Sequence, residues 1–135
     1  MAQQRKKQDN AVEGVVKEAH KDVRNGLKGL KIVLFEEHNF RIEIIAAFLV
    51  LAASVWLKLS LTEIAILVGI IVVVISLEII NSSLEKLLKS YSILKDEPRL
   101  IDVKDMAAGA VLISVIGSLV IGTLIFTPHI LKMFG

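Results

Sequence analysis

The chain has 135 residues, 54% of them hydrophobic, and a formal charge of +2 from 16 Lys and Arg against 14 Asp and Glu. That balance, with no clustered basic and aromatic platform, argues against a nucleic-acid partner, and the lack of cysteine removes disulfides, thiolate nucleophiles and sulfur metal ligands. The apolar residues gather into three long stretches nearly free of charge, which a soluble domain of this size would not do, so the fold class is all-α integral membrane: three transmembrane helices preceded by an amphipathic surface helix.

Residues 1–11 are basic and polar, with no signal-peptide apolar run behind them, and read as a flexible cytosolic tail. Residues 12–135 read as a single membrane domain. From Val12 to Phe35 the apolar positions Val12, Val15, Val16, Ala19, Val23, Leu27, Leu30 and Leu34 recur at three- and four-residue steps, with lysines mostly between them. This pattern predicts a helix suited to an anionic membrane surface, although a helix packed on a protein partner would show the same period.

The first span covers about 42–59, with Trp56 and Lys58 at its outer interface. After a tight Ser60 to Thr62 connection the second covers about 63–88. Its β-branched residues would suggest strand in water, but in lipid an unpaired backbone is prohibitive and helix wins. A polar segment with Pro98 leads to the third span, about 105–127, where Asp105 is placed to cap the start and Pro128 to stop the far end. Ala110, Ser114, Ser118 and Gly122 recur every four residues, a stripe that allows close helix approach. Nine Lys and Arg lie between Met1 and Arg41 and five between Lys86 and Lys104, against none in the Ser60 to Thr62 turn. The positive-inside rule then predicts a cytoplasmic amino terminus and an outside carboxyl terminus.

The second span ends in E78-I-I-N81-S82-S83-L84-E85. Seven residues advance a helix by roughly 700°, so Glu78 and Glu85 share a face about 10 Å apart, with Asn81 between them. An ionised group at this depth needs a partner, a cavity or an interface, and Glu78 follows fourteen residues without a charge. The bland alternative is a helix end returning to water, which suits Glu85 better than Glu78. The predicted topology gathers Glu37, Arg41, Glu43, Glu78, Glu85, Lys104 and Asp105 at one membrane face.

Oxygen ligands there suit Mg²⁺, which keeps several waters and binds substrate phosphates. The axial separation argues against Glu78 and Glu85 chelating one ion. It suggests instead that Glu85 with Glu37 holds metal while Glu78 orients or deprotonates a lipid hydroxyl. Phosphoryl transfer also needs positive charge and a positioned nucleophile. Lys104 can meet nucleotide phosphate, Asn81 can place metal water or the acceptor, and Arg41 can add a phosphate contact. For Arg41, snorkelling or balancing Glu43 is the competing role, and for Asp105 a helix cap. No Walker-type or glycine-rich nucleotide loop and no soluble-kinase signature is present. His20, His38 and His129 lack metal-site spacing.

These residues resemble the small prokaryotic diacylglycerol kinase family, which includes undecaprenol kinases. The resemblance runs over roughly Gly26 to Phe126 and is carried by E78-x-x-N81-S82-x-x-E85, E37-x-x-F40-R41-x-E43 and K104-D105-M-A-A-G-A-V-L. It implies a homotrimer of the bacterial cytoplasmic (inner) membrane, with sites near subunit interfaces, that transfers the γ-phosphoryl of Mg-ATP to a lipid alcohol. By resemblance Glu78 is the base or substrate-positioning acid, assisted by Asn81, and Glu37 and Glu85 are the metal-linked acids. Arg41, Glu43, Asn81, Lys104 and Asp105 then belong to the nucleotide side. Lys89 stands where an Asp is common in the family, and the K95-D-E-P-R99 connection departs from the familiar pattern. The expectation is an ATP-dependent lipid kinase acting on diacylglycerol. Undecaprenol is the alternative acceptor, and a non-catalytic membrane assembly or ion-binding protein is the alternative of a different class.

Overall fold

A computed structural model describes residues 2–90 and 97–135, with side-chain surroundings from residue 12 onward. The described residues form four helices and no strand: α1 (Ala2–Glu36), α2 (His38–Trp56), α3 (Leu61–Ser90) and α4 (Pro98–Phe134). Two compact units divide the chain, residues 1–36 and residues 37–135.

The first unit is α1 alone. It starts at Ala2, so the segment expected as a tail is helical, in keeping with its Ala, Gln, Arg and Lys content. Its apolar positions Val12, Val15, Val23 and Leu27 are exposed, as the amphipathic pattern requires of a helix that offers one apolar face.

In the second unit α3 is central, packing against α2 and, over more of its length, against α4. All three helices are long and apolar enough to cross a membrane. Phe48, Leu61, Ile113 and Leu124 are exposed, and α4 has no buried residue, which suits surroundings of lipid or neighbouring protein rather than water. The small-residue stripe of α4 turns toward α3: Ser114, Gly117 and Ser118 line one crevice with Gly69, Ile70 and Val73. Ser114 and Ser118 donate to their own helix, to Val111 O and Val115 O at 2.7 Å, so neither hydroxyl is left unpaired among apolar neighbours.

Both ends of the short α2–α3 connection are closed by backbone geometry. Leu59 N–H donates to Ser54 O (3.0 Å) and Lys58 N–H to Val55 O (3.1 Å), a Schellman ending with Lys58 in the left-handed region at φ 54°. The chain then enters α3 through a reciprocal capping box. Ser60 N–H and Oγ donate to Glu63 Oε2 at 2.8 and 2.7 Å, and Glu63 N–H donates back to Ser60 Oγ at 3.3 Å.

The third apolar helix extends past both predicted limits. Glu97 is its N-cap and Pro98 its first residue, where the missing proline N–H costs nothing. Asp105 therefore sits two turns inside α4 and does not cap it. At the far end the helix runs through Pro128 to Phe134. A proline removes one helical hydrogen bond, and an apolar helix packed in a bilayer tolerates that loss where a helix in water would stop.

Candidate active site at the α2, α3 and α4 ends

Leu67, Val74, Glu78 and Ser82 make up the buried face of α3, at steps of seven, four and four residues. Glu78 is thus the polar continuation of a packed apolar stripe, and only 3% of it is exposed. Ser82 Oγ, one turn on and equally buried, donates to Glu78 Oε1 at 3.5 Å. The Asn81 side chain is within hydrogen-bonding reach of the same carboxylate, while its own Oδ1 is buried and meets no hydrogen-bond partner among the described residues.

Glu85, a further turn toward the helix end, has 30% of its side chain exposed, and Glu37 has 26%. The acids are graded in depth along one face, with Glu78 innermost. Glu78 feels the charges of both Glu85 and Glu37, so the three carboxylates share one electrostatic neighbourhood. Lysines balance the two shallower ones. Lys86 Nζ is 3.4 Å from Glu37 Oε1, Lys89 Nζ is 3.1 Å from Glu85 Oε2, and Lys104 Nζ reaches across from α4 to within 3.9 Å of Glu85 Oε1.

On α2, Glu37, Phe40 and Glu43 follow at three-residue steps, and Phe40 is buried at 3% exposure. Glu43 faces inward: it feels the charge of Glu78, and its Oε2 is buried without a hydrogen-bond partner among the described residues. Arg41 and Asp105 are exposed on other faces of their helices. The structure therefore gathers Glu37, Glu43, Glu78, Asn81, Glu85 and Lys104. Ser82, Lys86 and Lys89 join this group although sequence reasoning gave them no role. The four-residue spacing from Glu78 to Ser82 and from Glu85 to Lys89 was the available signal.

Glu43 also heads an apolar cleft of about 560 Å³. Ala46, Ala47 and Val50 of α2, Leu67, Ile71 and Val74 of α3, and Leu119, Gly122 and Phe126 of α4 line it. It continues along α4 from Val115 to Ile130, a rise of about 22 Å. Glu43 at its polar end feels the charge of the buried Glu78 carboxylate, which does not itself line the cleft. His129 is remote from these acids, with Nε2 3.8 Å from Glu63 Oε2 at the opposite end of α3.

Among the described residues no three His, Asp or Glu side chains converge as a metal cage. Glu37 and Glu85 are nevertheless partly exposed oxygen donors of the kind that suits Mg²⁺, which fills its remaining positions from water and substrate phosphate.

No curated protein matches the chain. The family model for prokaryotic diacylglycerol kinase matches residues 24–126, a stretch that holds every acid, amide and lysine of this site. With its three membrane-spanning helices, the chain belongs to the prokaryotic diacylglycerol kinase family of lipid kinases.

Proposed function

We propose that the protein phosphorylates a membrane lipid alcohol from Mg-ATP, with diacylglycerol as acceptor and phosphatidic acid as product. The observation that carries this reading is the position of Glu78: a buried carboxylate beside the polar head of a long apolar cleft, one helical face away from shallower acids matched with lysines. The cleft takes the hydrocarbon of the acceptor and leaves its hydroxyl near Glu78 and Glu43. Glu78 accepts the hydroxyl proton as the oxygen attacks the γ-phosphorus. The bond between that phosphorus and the β–γ bridging oxygen breaks, and ADP departs.

Asn81 holds the Glu78 carboxylate, and its Oδ1, without a hydrogen-bond partner among the described residues, is available to metal water or the acceptor. Glu37 and Glu85 would hold Mg²⁺, which when bound supplies positive charge to the phosphate oxygens. Lys104 pairs with phosphate from the α4 side, with Arg41 and Asp105 bordering the nucleotide at the surface. Glu43, which the resemblance puts on the nucleotide side, also lines the cleft, so its carboxylate is within reach of an acceptor held there. The amino terminus and this site face the cytoplasm of a bacterial inner membrane, where ATP is available. Assembly as a homotrimer, which the family resemblance implies, would cover part of the exposed surface of α4.

Labelled ATP supplied to the purified chain with diacylglycerol or undecaprenol in parallel tests the reading. Label should enter diacylglycerol in preference. Preferential label in undecaprenol would move the acceptor to a polyprenol, and none in either would remove the kinase reading. Glu78→Gln should retain assembly and lose about 10²- to 10⁴-fold in kcat, the usual worth of a positioned base.

A further inference from the structure

Lys89 gives the site a feature that the acids alone do not. Its ammonium lies 3.1 Å from Glu85 Oε2, while Lys104 approaches Oε1 of the same carboxylate at 3.9 Å. Glu85 is thus bracketed by cations from two helices, and Glu37 is matched by Lys86 at 3.4 Å. Two carboxylates meeting three ammonium groups form a weaker site for a bare divalent cation than two unmatched ones, because the lysine charges repel an entering ion and compete for the same oxygens. A polyphosphate entering with the ion changes that balance, since it offers the displaced lysines an anion.

The Lys89 side chain is 71% exposed, and an i,i+4 ion pair on an exposed helix face is weak and easily exchanged. Four flexible methylenes carry its charge, so it can leave Glu85 for a phosphate without movement of α3. Lys104 is less exposed, at 41%, and crosses between helices, which suits a fixed contact rather than a mobile one.

We propose that Lys89 is a nucleotide-positioning residue: it covers Glu85 in the empty site and passes to the polyphosphate of ATP as Mg²⁺ takes that carboxylate, so that metal and nucleotide bind together. This rests on the lipid kinase reading and goes beyond it by coupling the binding of metal to that of nucleotide. A lysine serving only the helix end would stabilise the last turn of α3 without affecting ligand binding.

Equilibrium binding to the full chain in lipid nanodiscs separates the two roles. Mn²⁺ replaces Mg²⁺ and is followed by electron paramagnetic resonance, with and without the non-hydrolysable analogue AMP-PCP. The wild type should bind Mn²⁺ at least tenfold more tightly when AMP-PCP is present. Lys89→Ala should weaken Mn–AMP-PCP binding fivefold to tenfold and raise KM for ATP equally, with kcat and KM for lipid within twofold. It should also tighten Mn²⁺ binding without nucleotide, and Lys89→Arg should restore the wild-type pattern. Wild-type binding of Mn–AMP-PCP that Lys89→Ala leaves unchanged would overturn the Lys89 role alone. A wild type that binds no nucleotide would overturn the kinase reading, and the Lys89 role with it.

Discussion

Ser82 and Ser83 are neighbours with the same side chain, yet only one meets the buried carboxylate of Glu78. Ser83 donates to Ile79 O at 2.7 Å, the ordinary resting place for a serine in a membrane helix. Ser82 donates instead to Glu78 Oε1 at 3.5 Å, because its four-residue offset sets it on the buried face under the carboxylate. The bond is long, and its worth is about 1 kcal/mol, roughly fivefold in rate if it orients the base. Ser82→Ala should therefore lower kcat about threefold to tenfold with little change in KM for ATP, and Ser82→Thr should restore it. A Ser82→Ala enzyme with unchanged kcat would assign Ser82 to packing. The alignment of Glu78, Asn81 and Glu85 was legible in the sequence because helical period alone decides which residues share a face. The lysine partners were not. Lys86 and Lys104 meet acids of other helices, and those pairings depend on how α2 and α4 dock on α3.

Among the helices, the boundaries were harder to read than the helices themselves. Length and hydrophobicity make the three apolar segments plain, since lipid leaves the backbone no alternative to internal hydrogen bonding. Asp105 looked like a cap because it precedes an apolar run, but capping is decided by where the first helical turn forms, and Pro98 with its preset φ begins it earlier. Pro128 looked like a stop because prolines end helices in water. The Ser60 to Glu63 spacing is a capping box already present in the sequence of that tight turn. Loss of the Ser60 hydroxyl frees a donor at the start of α3 and removes one partner of Glu63. Ser60→Ala should then destabilise the protein by about 1 kcal/mol, read as a lower Tm in detergent micelles, with kcat unaffected because the site lies at the other end of α3. A Tm equal to that of wild type would show that the Schellman ending of α2 suffices to fix this turn.

Across the whole membrane unit the charged cluster and the apolar cleft are laid end to end. The lysine-matched acids lie where α3 returns to water, the buried Glu78 lies deeper, and the cleft carries on from Glu43 toward Ile130. On the proposed function that order should make the two substrates separable by mutation, and Gly122 is the place to do it. It lines the cleft on α4, and a Cβ added there meets nothing within 4 Å, so a larger side chain enters open space instead of a packed interface. Replacing glycine within a helix also removes an unfavourable backbone term, so folding should not suffer. A leucine at this position would displace the equivalent of one or two lipid methylenes, at about 0.8 kcal/mol each. Gly122→Leu should accordingly raise KM for the lipid roughly fourfold to fifteenfold, leaving KM for ATP and kcat at saturating lipid near their wild-type values. The measurement is a pair of substrate titrations in mixed micelles. Equal changes in both KM values would mean that the cleft and the nucleotide site respond as one, and an unchanged lipid KM would mean that the acceptor's hydrocarbon lies outside the cleft.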